Sequence, residues 1–344
     1  MICEPLAFSD LPLWAADDHA AAVGAFRHSI DRLRNIYPNL PDPGNTPPQR
    51  YFEANFRPHR VALETGSKKS AEHGLFTGYF EPVLQGARQR SARFQIPLLR
   101  RPDDLETVLD DSLRASAGDN LTHARRTTDG LQPYPTRQDI EQGCLDGQDL
   151  ELLFLENPVD AFFLHVQGSG LIELDDGSRV RVSYAAKNGH PYTSIGKLLI
   201  AEGAIAAEDM SLTTLAEWLH ADTARAKLMM WRNLSYIFFQ ELGDAENVGT
   251  VGVDSIQLTP GRSLAVDASF HTIGLPVFVA IDGLPDTSEP TRRLMIAQDV
   301  GSAIRGPVRA DIFYGTGAEA GDLAGRTKHF GEMYVLLPLT RETP

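Results

Sequence analysis

Leu294-Met295-Ile296-Ala297-Gln298-Asp299-Val300-Gly301-Ser302-Ala303-Ile304-Arg305-Gly306-Pro307-Val308-Arg309-Ala310-Asp311-Ile312-Phe313-Tyr314-Gly315 is the stretch on which the fold turns. Two apolar runs, 294–297 and 312–314, flank a loop rich in Gly that also holds Pro307. Short apolar runs bounded by such residues read as buried strands. An aspartate borders each run, Asp299 after the first and Asp311 before the second. A strand, a Gly-rich loop and a second strand bring both carboxylates to one edge. Upstream, Leu264-Ala265-Val266 runs into a third aspartate, Asp267. Neighbouring carboxylates repel and partial burial penalises their charge, so one pKa rises and that Asp can act as a general acid near neutrality. The plain alternative is that these aspartates cap turns by accepting backbone N–H groups.

The texture around this stretch is strand-like too. Residues 236–239, 275–281 and 333–337 are further short apolar runs. Leu171 to Leu174, Asp175-Asp176-Gly177 and Arg179 to Tyr184 read as a hairpin, because alternation flanks an Asp-Gly turn. Helical spacing recurs over 17–35, with Val23, Phe26, Ile30 and Leu33 on one face and Asp17 or Asp18 as cap. A second helix is expected over 51–56, after a Pro-rich loop at 38–48, and a helical zone over 194–231 is interrupted at Gly203. Residues 103–147 are polar and acidic and read as short helices and loops. Phe162 to Gly170 reads as a buried strand ending in small residues. Helices, strands, helices and strands in that order, with no repeat of fixed period, indicate an α+β chain, mostly β, with barrel-like cores.

Composition excludes several classes. Of 344 residues, 42% are hydrophobic and 23% charged, which suits one large or two modest globular domains. A net charge of −14 argues against a broad nucleic-acid footprint, which needs clustered Lys and Arg. Two cysteines, Cys3 and Cys144, form neither a disulfide framework nor a zinc motif. No apolar run reaches the roughly 18 residues of a membrane span. Met1 to Pro5 carries no basic patch before an apolar stretch, so it does not read as a secretory signal. Either the leader is missing from the chain as given or the protein stays in the cytoplasm. The glycines of Gly189 to Lys197 are too widely spaced for a phosphate loop, and the Gly315 to Gly321 spacing misses a dinucleotide fingerprint. There is no Gly-x-Ser-x-Gly elbow and no His-x-x-x-His pair, so neither a serine nucleophile nor a metal is expected.

Three further segments suit a sugar. Leu75-Phe76-Thr77-Gly78-Tyr79-Phe80-Glu81-Pro82 needs a tight backbone at Gly78 and presents aromatic rings; Val166-Gln167-Gly168-Ser169-Gly170 offers amide and hydroxyl groups; Tyr184 to Tyr192 supplies more of both. Flat aromatic faces and such polar groups bind sugar rings. Lys187 can meet the carboxylate of a lactyl group or peptide stem. Aromatic residues in strands are, however, most often core.

Together these segments resemble the membrane-bound lytic murein transglycosylase A family. The matching pieces are 77–82, 133–137, 166–170, 186–197, 233–239, 258–267 and 299–306 with 311–315, in that order. The resemblance implies a double-psi β-barrel built from both chain ends, roughly 1–82 and 241–344. It also implies an inserted, smaller β-rich domain, roughly 83–240, with a groove between them. The C-terminal part is similar to the module named for three aspartates, here Asp267, Asp299 and Asp311. The implied reaction cuts the β-1,4 bond between N-acetylmuramic acid and N-acetylglucosamine and leaves a 1,6-anhydro end. Asp311 acts as acid and then base, and Asp299 supports it. Thr77, Gly78, Tyr79, Gln167, Gly168, Ser169, Lys187, Asn188, Tyr192 and Asp267 are the implied substrate contacts. No cofactor and no metal are implied. The implied partners are peptidoglycan glycan strands, not nucleic acid, for a monomer in the periplasm or at the outer membrane. The rival readings are a hydrolytic glycosidase using Asp299 and Asp311 together, a binding module without catalysis, and a cytoplasmic enzyme on another polysaccharide.

Overall fold

The computed structural model describes residues 2–65, 68–70, 73–108, 121–244, 249–287, 289–301 and 303–339. Ser302 of the Gly-rich loop and 109–120 of the acidic stretch lie outside the described residues. In chain order the N-terminal part holds β1 (Ile2–Pro5), α1 (His19–Arg27), α2 (Ile30–Ile36), α3 (Pro48–Asn55), β2 (Phe56–Thr65), β3 (Lys68–Ser70) and β4 (Gly74–Glu81). The middle holds β5 (Val83–Ala87), β6 (Ile96–Leu99), β7 (Leu105–Thr107), β8 (His123–Thr127), β9 (Gly130–Gln132), α4 (Arg137–Glu141), β10 (Glu151–Leu155), α5 (Pro158–Gln167), β11 (Ser169–Leu174), β12 (Arg179–Lys187), α6 (Ile195–Ala201), α7 (Leu212–His220), α8 (Thr223–Trp231) and β13 (Ile237–Asp244). The C-terminal part holds β14 (Ser263–Val266), β15 (Pro276–Ile281), β16 (Thr291–Val300), β17 (Arg309–Thr316), α9 (Ala318–Arg326) and β18 (Lys328–Pro338). The chain divides into two compact units, Met1–Phe80 with Gly249–Pro344, and Glu81–Val248.

The first unit is built on a closed barrel. Strands run in the order β18-β15-β16-β14-β17-β4, and β18 also pairs with β4, which closes six strands into a ring. Closure removes the free strand edges that would otherwise recruit other chains. Strands β14 and β16 run parallel, and β14 and β17 antiparallel. All four residues of β14 and all six of β15 are buried. Such continuous apolar runs are what a strand covered on both faces requires. Phe278, Met295, Ile296, Ile312 and Leu336 pack with Phe26, Leu33 and Phe52 of the N-terminal helices into one core.

The single helix expected over 17–35 is two. Buried Gln298 donates from Nε2 to the Ala25 carbonyl at 2.8 Å and to Ser29 Oγ at 2.6 Å, where the chain turns between α1 and α2. Asp18 caps α1, while Asp17 pairs with Arg262 at 2.9 Å and accepts from Leu294 N–H at 2.7 Å.

The second unit carries a six-stranded sheet ordered β13-β12-β11-β5-β10-β6 and a three-stranded sheet β7-β8-β9. The hairpin falls where the Asp-Gly turn places it, with Ser169 opposite Ser183 and Glu173 opposite Arg179. Two expectations need correction. Among the described residues of 103–147 there are three short strands, which polar side chains such as Arg125 and Arg126 disguise. Residues 158–167 are helix, not strand. Asn157 accepts Val159 N–H at 2.8 Å, Pro158 opens the first turn, and Gly168 closes the helix at φ 83°. An Asn cap, a Pro at the first position and a Gly beyond the end are helix signals that outweigh the apolar run Phe162-Phe163-Leu164.

Candidate active site

The barrel brings two of the aspartates together through one residue. Ala265 of β14 pairs with Asp299 of β16 on one side and with Asp311 of β17 on the other. Residues opposite one another in a sheet share a face, so the two carboxylates flank Ala265. A bulge between Leu264 and Ala265 shifts the β14–β16 register past Gln298. The shift puts Asp299 in line, and a bulge that re-aims a side chain beside a functional site is a recurring device.

Asp311 is partly exposed, with 18% of its side chain open to solvent. Its Oδ1 accepts from Arg309 Nη1 at 2.9 Å, and among the described residues no backbone N–H bonds it. Burial pushes its carboxyl above the ordinary range against the opposing pull of the Arg309 guanidinium. Asp299 accepts from its neighbour Val300 N–H at 2.9 Å. Burial pushes the Asp299 carboxyl up to about 6, although the N–H groups of Val300 and Val253 and the Tyr79 hydroxyl favour its charge; the nearby Asp311 adds to the rise.

Strand β4 supplies the third wall. Thr77 Oγ1 accepts from Arg309 Nη2 at 2.7 Å. A Cβ at Gly78 would lie 2.7 Å from both the Tyr314 ring and the Ala324 backbone, so only Gly fits between them. The Tyr79 ring packs on Phe313 at 5.3 Å. Its hydroxyl is shielded from solvent and points at Asp299 without the geometry of an ordinary hydrogen bond. Burial, then the Asp299 charge, raise its phenol well above the ordinary value. Burial of a charge-free hydroxyl beside two acids is what an electrostatically tuned site contains.

Asp267 stands apart. It is buried, its Oδ1 accepts from Ser269 N–H at 3.1 Å and Ser269 Oγ–H at 2.7 Å, and its Oδ2 accepts from Gly306 N–H at 2.9 Å. Burial pushes its carboxyl up, but these donors and Arg305 at 3.7 Å outweigh it and hold the group below the usual range. It ties the Gly-rich loop to the end of β14, the turn-capping role weighed for all three.

The remaining predicted contacts lie in the second unit. Gln167 ends α5, Gly168 is its left-handed cap and Ser169 opens β11. Lys187 ends β12 opposite Ile237, whose N–H donates to His165 Nδ1 at 3.1 Å, so the ends of α5 and β12 lie side by side. Tyr192 is half-buried, and burial raises its phenol. Asn188 is fully buried and saturated. Its Nδ2 donates to the Pro135 and Leu234 carbonyls, both at 2.9 Å, and its Oδ1 accepts from Tyr236 N–H at 2.9 Å. Beside it Arg137, also buried, donates to the Asn233 carbonyl at 3.2 Å and the Ser235 carbonyl at 2.8 Å and pairs with Glu141 at 3.0 Å. Sequence reasoning passed over Arg309, although its place two residues before Asp311 on one strand puts both on one face. Among the described residues no group of three or more His, Cys, Asp or Glu side chains is placed to hold a metal. No described helix is long and apolar enough to cross a membrane.

A closed double-psi barrel with two raised aspartates on one face defines a class, the enzyme module built around three aspartates. Residues 262–337 match the family model for the 3D domain, and residues 75–240 match that for the MltA specific insert domain. Membrane-bound lytic murein transglycosylase A of Escherichia coli (strain K12) is 33% identical over 336 residues, 93% of this chain and 82% of its own. The crystal structure of membrane-bound lytic murein transglycosylase from Agrobacterium tumefaciens superposes with a TM-score of 0.87 at 33% identity, covering 98% of both chains. That of E. coli MltA with bound chitohexaose superposes with a TM-score of 0.71 at 27% identity, covering 98% of this chain and 92% of that one. The chain belongs to the membrane-bound lytic murein transglycosylase A family and is an enzyme.

Proposed function

We propose that this enzyme cuts peptidoglycan glycan strands between N-acetylmuramic acid and N-acetylglucosamine without water, with Asp311 as its acid and then its base. The observation that carries the reading is that Asp311 is partly open, raised in pKa and bonded by one guanidinium rather than capped by backbone donors. Protonated Asp311 gives its proton to the glycosidic oxygen as the C1–O bond breaks and the electron pair leaves with that oxygen. The C6 hydroxyl oxygen of the same muramic acid closes on C1, and its proton returns to the Asp311 carboxylate. One glycosidic bond is lost, one 1,6-anhydro bond is gained, and the acid is regenerated. A single carboxyl suffices because the nucleophile is part of the substrate and already placed, whereas hydrolysis uses a second carboxylate to activate water.

Asp299 supports Asp311 from the neighbouring strand, across Ala265. Thr77, Gly78 and Tyr79 form the wall of the catalytic strands. We assign catalysis to the barrel unit and glycan holding to the insert, through Gln167, Gly168, Ser169, Lys187 and Tyr192. The chitohexaose held by the E. coli relative, a β-1,4-linked chain of N-acetylglucosamine, supports a glycan strand as the ligand. Asp311→Asn is expected to keep the melting temperature and chitohexaose binding while turnover of purified peptidoglycan falls by at least about 100-fold, the usual worth of a general acid. Retained turnover in the folded variant removes Asp311 from the chemistry.

A further inference from the structure

The two oxygens of Asp311 are not equivalent. Arg309 and Asp311 lie two apart on β17, on one face, and Nη1 of the arginine reaches Oδ1 at 2.9 Å. The guanidinium is held from a second strand: Nη2 donates to Thr77 Oγ1 at 2.7 Å, and Nη1 also approaches the Leu75 carbonyl at 3.4 Å. Only 16% of the arginine side chain is exposed. A planar fork fixed at several points has little freedom to leave. The N–H aimed at Oδ1 is a donor, and a proton on that oxygen would oppose it. We propose that Arg309 is a positioning residue that dedicates Oδ2 of Asp311 to the proton and sets how strongly it is held. The proposal rests on Asp311 being the acid.

The electrostatics run in the same direction. Among the described residues, the charged or titratable groups facing Asp311 are Arg309 on its own strand, Tyr79 on β4 and Asp299 on β16, while β14 presents Ala265. Burial favours the protonated form of Asp311, and Arg309 is the one of these three groups that pulls it toward the carboxylate. An acid raised without limit holds its proton too tightly to give it to a glycosidic oxygen. A fixed cation beside Oδ1 offsets that rise and stabilises the carboxylate formed halfway through the cycle, before the C6 hydroxyl returns a proton.

The test compares the pH dependence of kcat for Arg309→Gln, Arg309→Lys and Thr77→Val, with Asp311→Asn as inactive control and melting temperature as the check on folding. The alkaline limb reports loss of the proton from Asp311 in the bound complex. Removing the cation raises that pKa, so Arg309→Gln should lower kcat at least about tenfold, hold KM within about twofold, and move the limb up by about 1–2 pH units. Arg309→Lys should bring the limb most of the way back. Thr77→Val, which loosens the fork but keeps its charge, should shift the limb less and in the same direction. A limb that stays in place in folded Arg309→Gln, or in Thr77→Val should both arginine variants unfold, overturns the proposal, as does a rise in KM alone. Turnover retained by Asp311→Asn brings down the assignment of the acid instead, whatever the arginine variants show.

Discussion

At the scale of single residues, the site is a set of opposed pushes on two carboxyls. Asp299 is raised to about 6 by burial, with an ordinary value of 3.8. A carboxyl whose folded pKa lies above its unfolded one binds its proton more tightly in the native state. Its contribution favours folding below about pH 4 and is lost as pH rises through about 6. Asp299→Asn should therefore flatten stability across that window and raise it near pH 7 by about 1–2 kcal/mol, a figure reduced for solvent screening of a partly exposed group. It should also lower kcat, because the carboxyl that stands across Ala265 from Asp311 is gone. Denaturant titrations at several pH values and the rate on purified peptidoglycan check both halves; an unchanged kcat separates Asp299 from the acid. Asp299 and Asp311 were legible because each borders an apolar run. Arg309 was not, since nothing in a string of letters distinguishes a guanidinium that folds back on its neighbour from one that faces solvent.

At the scale of elements, several motifs that carry the family resemblance serve architecture. Buried Arg137, Asn188, Asn233 and Ser235 meet the Pro135 and Leu234 carbonyls in one polar knot of the insert. Gly189, at φ 89°, lies so close to His123 that a Cβ would approach its carbonyl oxygen to 2.2 Å. Asn188→Ala would leave the Pro135 carbonyl and the Tyr236 N–H without these partners, while the Leu234 carbonyl keeps the Arg137 N–H at 3.1 Å, and should cost about 2–4 kcal/mol. Thermal melts should show that loss while KM of the remaining folded enzyme stays near wild type. A raised KM at unchanged melting temperature would instead make Asn188 a glycan contact. Helix α5 shows where reading by apolar runs fails. Phe162-Phe163-Leu164 suits strand or helix equally, and the decision lay in Asn157, Pro158 and Gly168 at its ends. The sheet β7-β8-β9 failed for the opposite reason: its strands are short and polar, so no period-2 pattern stood out. The barrel strands were legible because burial on both faces imposes unbroken apolar runs on them.

At the scale of the whole molecule, ring closure by β18 and β4 fixes the chemistry. It places β4, with Thr77 and Tyr79, beside β17, and so completes a wall that residues more than 200 positions apart in sequence share, as the Arg309 to Thr77 bond shows with its separation of 232. In the proposed reaction the nucleophile belongs to the sugar and water stays out of the bond. Digestion of purified peptidoglycan in water enriched in ¹⁸O, followed by mass spectrometry of the soluble fragments, tests this directly. Fragments lighter by one water than reducing-end counterparts and free of the heavy oxygen are expected, and none of them from Asp311→Asn. Reducing ends carrying one ¹⁸O atom would contradict the proposed reaction and point to hydrolysis by the Asp299 and Asp311 pair.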